Sequence, residues 1–103
     1  MKKAIIIFVR NPELGKVKTR LAKEIGDEQT LQVYNNLLQH THDVAGNLDC
    51  DRFVYYSNYI NDNDLWESEN FEKKMQEGDS LGNRMMFAFF ELFQMGYSKV
   101  III

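Results

Sequence analysis

Apolar residues in this chain fall into short compact runs separated by polar, turn-forming stretches and by two longer amphipathic segments. Residues 3–9, KAIIIFV, are almost continuously apolar and bounded by charges. A run this short, with no polar alternation, predicts a strand buried on both faces, the kind found at the centre of a parallel sheet. Residues 10–15, Arg-Asn-Pro-Glu-Leu-Gly, then break all periodicity and predict a loop. From Asp27 to Ala45, the residues Leu31, Tyr34, Leu37, Leu38, Val44 and Ala45 recur at spacings of three and four. They predict a helix with Asp27 as N-cap, Glu28 in its first turn and Gly46-Asn47 beyond its end.

Arg52–Ser57 is β-branched and aromatic and predicts a second strand. Asn58–Asn70, rich in Asn and Asp around a lone Trp66, predicts a loop with one helical turn near Asp64–Ser68. Phe71–Gln76 is assigned as a short strand leading into a glycine turn. Ser80 opens a helix running to about Gln94 and ended by Gly96, and Lys99–Ile103 is another buried-strand run. The order β-α-β-(α)-β-α-β implies an α/β fold with a parallel sheet and right-handed crossovers.

Composition narrows the setting. With 103 residues, 45% hydrophobic and 26% charged, the chain is composed like one globular domain. Its single Cys50 cannot form an internal disulfide, so the expected compartment is the cytoplasm. No apolar run exceeds six residues, against the ~20 needed to span a bilayer, and Met1-Lys2-Lys3 precedes too short a run for a signal peptide. Membrane insertion and secretion are therefore not expected. Two features suggest that the domain is truncated. The sequence stops inside the apolar run Val100–Ile103, and the helix over residues 80–95 is apolar nearly all round, which calls for cover on more than one side. The expected cover is either further chain or a homodimer partner packed on that helix.

Charge is segregated. Residues 1–23 carry seven of the twelve Lys/Arg and one acidic residue, whereas residues 24–103 carry five basic and fourteen acidic residues. A local positive cluster on an acidic remainder favours a compact polyanion and disfavours nucleic acid, which would be repelled by that remainder. The cluster is Arg10, Lys16, Lys18 and Arg20, directly after the first strand, where ligands bind in parallel α/β sheets. Arg would bind phosphate oxygens as a fork and Lys as a point charge, and Gly15 would let the backbone approach closely. The spacing matches neither the P-loop nor the dinucleotide fingerprint. A solvated basic face is the competing reading.

The segment Arg10–Ala22, read as R-x-P-x-x-G-x-V-K-T-R-L-A, resembles the signature of the glycosyltransferase-like family DUF2064, within the nucleotide-diphospho-sugar transferase (GT-A) superfamily. Ile25-Gly26 with the helix after it, and Gln76-Glu-Gly78-Asp-Ser-Leu81-Gly82-Asn-Arg84-Met85, are similar to further stretches of that family, so the likeness extends over essentially the whole chain. The resemblance implies a three-layer α/β/α fold with a mainly parallel, Rossmann-like sheet, strand order 3-2-1-4, residues 1–103 forming one nucleotide-binding domain. It implies an NDP-sugar or nucleoside triphosphate as ligand, transfer of a glycosyl or nucleotidyl group, and Arg10, Gly15, Lys18, Arg20 and Arg84 on the nucleotide phosphates. Mg2+ or Mn2+ would be held by an Asp of a G-x-D-x-P segment after the fourth strand. That segment is not in this sequence, so no metal ligand is assigned, no catalytic residue is named, and these residues alone are expected to be inactive. Ser80 stands where the family often has Asp. The alternative is a non-catalytic phosphate- or nucleotide-binding interaction module. His40, His42 and Cys50 lack partners at metal-ligand spacing, and the acidic neighbours Asp49 and Asp51 should disfavour a Cys50 thiolate.

Overall fold

The structure is a computed structural model and describes residues 2–103. Four strands, β1 (Lys3–Val9), β2 (Asp51–Tyr56), β3 (Glu72–Met75) and β4 (Lys99–Ile102), and three helices, α1 (Thr19–Ile25), α2 (Asp27–Gly46) and α3 (Leu81–Gln94), follow in the order β1-α1-α2-β2-β3-α3-β4. All strand pairs are parallel and the sheet order is β3-β2-β1-β4, as expected. β1 is central because it alone is apolar at almost every position: Ile5, Ile6 and Ile7 are completely buried, and each contributes ~1.5–3 kcal/mol.

Strand alternation sends the two sets of β1 side chains into two cores. Ile5, Ile7 and Val9 pack with Val54 and Tyr56 under α2, where Leu38 and Ala45 face them and Trp66 and Phe71 close the layer. Ala4 and Ile6 pack with Phe53 and Tyr55 under α3, which contributes Ala88 and Leu92. The result is a three-layer α/β/α arrangement with one helix layer on each face.

Local differences from the sequence expectations have physical causes. α2 begins as expected, but its N-cap is Gly26, with φ +90, and Asp27 occupies the first turn. There its carboxylate still faces the positive end of the helix dipole. α1 was not anticipated. It has seven residues, no side-chain cap and a left-handed Lys18 as its N-cap, so no start signal marks it. No helical turn forms around Asp64–Ser68. The Asp64 carboxylate is committed elsewhere: it accepts from the Tyr56 hydroxyl, from Lys73 Nζ at 2.9 Å and from the Trp66 N–H at 3.1 Å. Ser80 caps α3, its Oγ accepting from Asn83 N at 3.2 Å. Among the described residues no helix is long and apolar enough to cross a membrane.

Candidate functional site

The carboxyl end of β1 is held from three directions. Val9 O accepts the Ser57 N–H at 2.9 Å, continuing the sheet ladder into the loop after β2. The Tyr34 hydroxyl, reaching across from α2, donates to Arg10 O at 2.7 Å and accepts from Arg10 N at 3.1 Å, so both backbone groups of Arg10 are fixed by one side chain. Burial pushes the Tyr34 phenol above its ordinary pKa, with Arg10 pulling the other way, so the hydroxyl remains protonated and able to donate. Asn11 is buried, and its Oδ1 accepts from Tyr59 N at 3.3 Å.

Beyond this anchor the chain turns sharply. Gly15 has φ +77, and a Cβ there would stand 3.4 Å from the Asp27 carboxylate. Val17 is buried and pins the middle of the turn, which leaves its polar neighbours outward. Lys18 follows with φ 48 and ψ 49, a left-handed conformation uncommon for a residue with a side chain. α1 then begins at Thr19.

These constraints bring Arg10, Lys16, Lys18 and Arg20 around one open cleft of about 560 Å³, with Thr19 and Leu21 completing its wall. All four cations are exposed, and among the described residues none is held by a carboxylate. A concave surface lined by four positive side chains without a neutralising acid attracts a compact anion. No acidic or imidazole group lines it, so the geometry supplies charge and hydrogen-bond donors, not acid–base chemistry.

Gly15 and Arg84 sit differently from the four lining cations. Gly15 makes the turn without forming part of the wall. Arg84 is half-buried: its Nε donates to Gly78 O at 3.1 Å and its Nη1 to Gln76 Oε1 at 3.2 Å. Gln76 in turn donates from Nε2 to Tyr55 O at 2.9 Å and to Val9 O at 3.4 Å. Arg84 thus braces the β3–α3 turn and reaches the carboxyl end of β1 only through Gln76. Tyr34 and Gln76 have positioning roles that residue pattern alone did not distinguish. In the sequence Tyr34 is one residue of an apolar helical stripe and Gln76 is the first residue of a motif.

Among the described residues no three His, Cys, Asp or Glu side chains converge on a point that could hold a cation. The side chains present therefore do not fit the divalent ion that the resemblance implies, and no step is derived through one. His42 is engaged instead with Asp43 and Glu67, at 3.1 and 2.9 Å. For Cys50, burial is the larger cause of a raised thiol pKa, ahead of Arg52, which opposes it, and of Asp51 and Asp49, which reinforce it.

A parallel sheet in the order β3-β2-β1-β4 is the nucleotide-diphospho-sugar transferase (GT-A) arrangement at the level of the superfamily. A crystal structure of a protein from Desulfovibrio desulfuricans, provisionally named a nucleotide-diphospho-sugar transferase, matches with a TM-score of 0.83 and 31% sequence identity. The match covers 99% of this chain and 46% of that one, so this chain spans about half the length of the protein it resembles. No protein-family profile matches the chain. No curated protein matches it either.

Proposed function

We propose that residues 1–103 form the nucleotide-binding portion of a DUF2064-like transferase, with Arg10, Lys18 and Arg20, joined by Lys16, gripping the diphosphate of an NDP-sugar or the phosphates of a nucleoside triphosphate. The observation that carries this reading is the cleft itself: four cations without acidic partners, on the turn that leaves the central strand of a sheet of the GT-A kind. Gly15 shapes that turn, and Arg84 acts by bracing it through Gln76.

In glycosyl or nucleotidyl transfer the leaving group is a nucleoside diphosphate or pyrophosphate. Cations already aimed at its oxygens stabilise the charge that develops there more than they stabilise the ground state. A divalent cation in a full transferase would need ligands other than these side chains and would supply further positive charge to the leaving group. The chain alone accordingly binds phosphates and shows no useful turnover.

Calorimetric titration of pyrophosphate and of nucleoside diphosphates tests the assignment. The Lys18→Ala/Arg20→Ala double variant should lose at least about tenfold in affinity, since each charge-assisted contact is worth ~1.5–3 kcal/mol before solvent screening. Unchanged affinity would remove the phosphates from this turn. Equal affinity for pyrophosphate and every diphosphate would favour a general phosphate-binding module, because a nucleotide site also senses the nucleoside.

A further inference from the structure

We infer that the loop after β2 forms the nucleoside end of the site, with Tyr59 as the aromatic seat on which the base of the bound nucleotide stacks. The inference rests on the phosphate assignment proposed above and extends it to the part of the ligand that four cations cannot read. Two hydrogen bonds join this loop to the turn that carries those cations. Ser57 N donates to Val9 O at 2.9 Å, and Tyr59 N donates to Asn11 Oδ1 at 3.3 Å. Asn11 directly follows Arg10 of the cleft and is only 2% exposed, so a side chain locked in the interior sets the spacing between the two loops.

The chain is held on the other side of Tyr59 as well. Asn61 O accepts from Lys73 Nζ and, at 3.4 Å, from the Tyr56 hydroxyl, while Asn61 Oδ1 accepts from Asn63 N at 2.9 Å. Lys73 is itself paired with Asp64 at 2.9 Å, and both side chains are largely buried. What this framework holds in place is an apolar pair in the open, since Tyr59 is 48% and Ile60 40% exposed. Backbone fixed on both sides of such a pair loses freedom, with no apolar burial in return until a ligand covers the ring. Among the described residues the other exposed aromatic side chains, Phe87, Phe90 and Phe93, all belong to α3, so Tyr59 is the one presented at the carboxyl edge of the sheet.

A nucleotide has the matching polarity: an anionic end and a flat, uncharged end. Neighbouring strands lie ~4.8 Å apart, so the loop leaving β2 stands one strand spacing from the turn leaving β1, within the length of a nucleoside diphosphate. The exposed carboxylate of Asp62, three residues beyond Tyr59, repels a further phosphate there and leaves a neutral base unopposed. Stacking engages a π-face and not a hydrogen-bonding edge, so the seat accepts purine and pyrimidine alike.

Calorimetric titration of pyrophosphate, ADP and UDP into the wild type, Tyr59→Ala and Tyr59→Phe tests the seat. Both nucleotides should bind the wild type roughly fivefold or more tighter than pyrophosphate, the usual worth of one base–aromatic stack. Tyr59→Ala should lose that increment with its pyrophosphate affinity unchanged, and Tyr59→Phe, which keeps the ring, should retain it. In Tyr59→Trp the new indole fluorescence should respond to ADP and not to pyrophosphate, against a silent background from the buried Trp66. A wild type that binds pyrophosphate as tightly as both nucleotides, a Tyr59→Ala variant that keeps the increment, or a Tyr59→Trp signal blind to bound ADP overturns the seat and leaves the phosphate assignment standing. A wild type that binds none of the three ligands overturns both.

Discussion

Gly78 is the position where replacing one hydrogen by a methyl group should cost most. It lies between β3 and α3 with φ +134, and a Cβ built on it would stand 2.9 Å from Arg84 N and 3.0 Å from both Asn83 C and Asn83 Cβ. Two of these are backbone atoms of the first turn of α3, which is held by the Ser80 cap and cannot yield as a flexible side chain would. Gly78→Ala therefore carries a conformational cost of about 1–3 kcal/mol and an overpacking cost of about 1–3 kcal/mol. Together they are a large fraction of the roughly 5–15 kcal/mol available to a chain of this size. Two other glycines separate these contributions. Gly26→Ala has φ +90 but nothing within 4 Å, so it should carry the conformational cost alone. Gly82→Ala lies in the first turn of α3 with only Ser80 Oγ near, at 4.0 Å, and should be neutral or stabilising by up to about 1 kcal/mol. Urea unfolding followed through the single, buried Trp66 measures all three. The ranking Gly78→Ala far below Gly26→Ala, and that below Gly82→Ala, is expected. A Gly78→Ala no worse than Gly26→Ala would refute the close approach of the turn to the helix.

Lys18→Gly relieves a left-handed conformation while removing a cation from the cleft. It should leave stability within about 1 kcal/mol of wild type yet weaken pyrophosphate binding in calorimetry. Lys73→Met strips the ammonium from an almost buried pair with Asp64, whose side chains are 6% and 13% exposed, and should cost about 3 kcal/mol or more in urea unfolding, much of it recovered by adding Asp64→Asn. His42 should give the wild type a pH dependence that His42→Gln lacks. Burial lowers its pKa, but the Glu67 and Asp43 carboxylates outweigh burial and hold it above the ordinary 6.5. Glu67, hydrogen-bonded to His42, falls from 4.5 to about 2. The stabilisation from His42 is thus full below pH 6.5 and is lost as pH rises through the raised value. That from Glu67 is full above pH 4.5 and is lost as pH falls through about 2. Their joint contribution, under about 1 kcal/mol at this partly exposed site, should be greatest between those limits, and thermal melts of the two proteins across pH check it.

The sheet was readable because its signals are local. The Ile-rich run before Arg10 could be nothing but an interior strand, and each later strand is separated from it by a segment long enough for a crossover. α1 was not readable: its start rests on a strained Lys18 backbone, and its position depends on Val17 reaching the core, neither of which has a sequence pattern. The four cations could be assigned to one loop from their spacing, but not their convergence on one cleft, which depends on Tyr34 from α2 clamping Arg10 across 24 residues. Arg84 was legible only as a motif position; that its guanidinium hydrogen-bonds Gly78 and Gln76 depends on the fold of the β3–α3 turn.

The pairing of Lys3 with Lys99 joins residues from nearly opposite ends of the 103-residue sequence. β1 precedes its second neighbour by two strands and three helices, so that neighbour does not exist until all of them have been synthesised. No hairpin can nucleate this sheet, and every strand must wait for a distant one, so slow folding is built into its topology. Throughout that wait Ile6 and its neighbours need shelter, which makes the nascent polypeptide a natural client for chaperones that recognise exposed aliphatic segments.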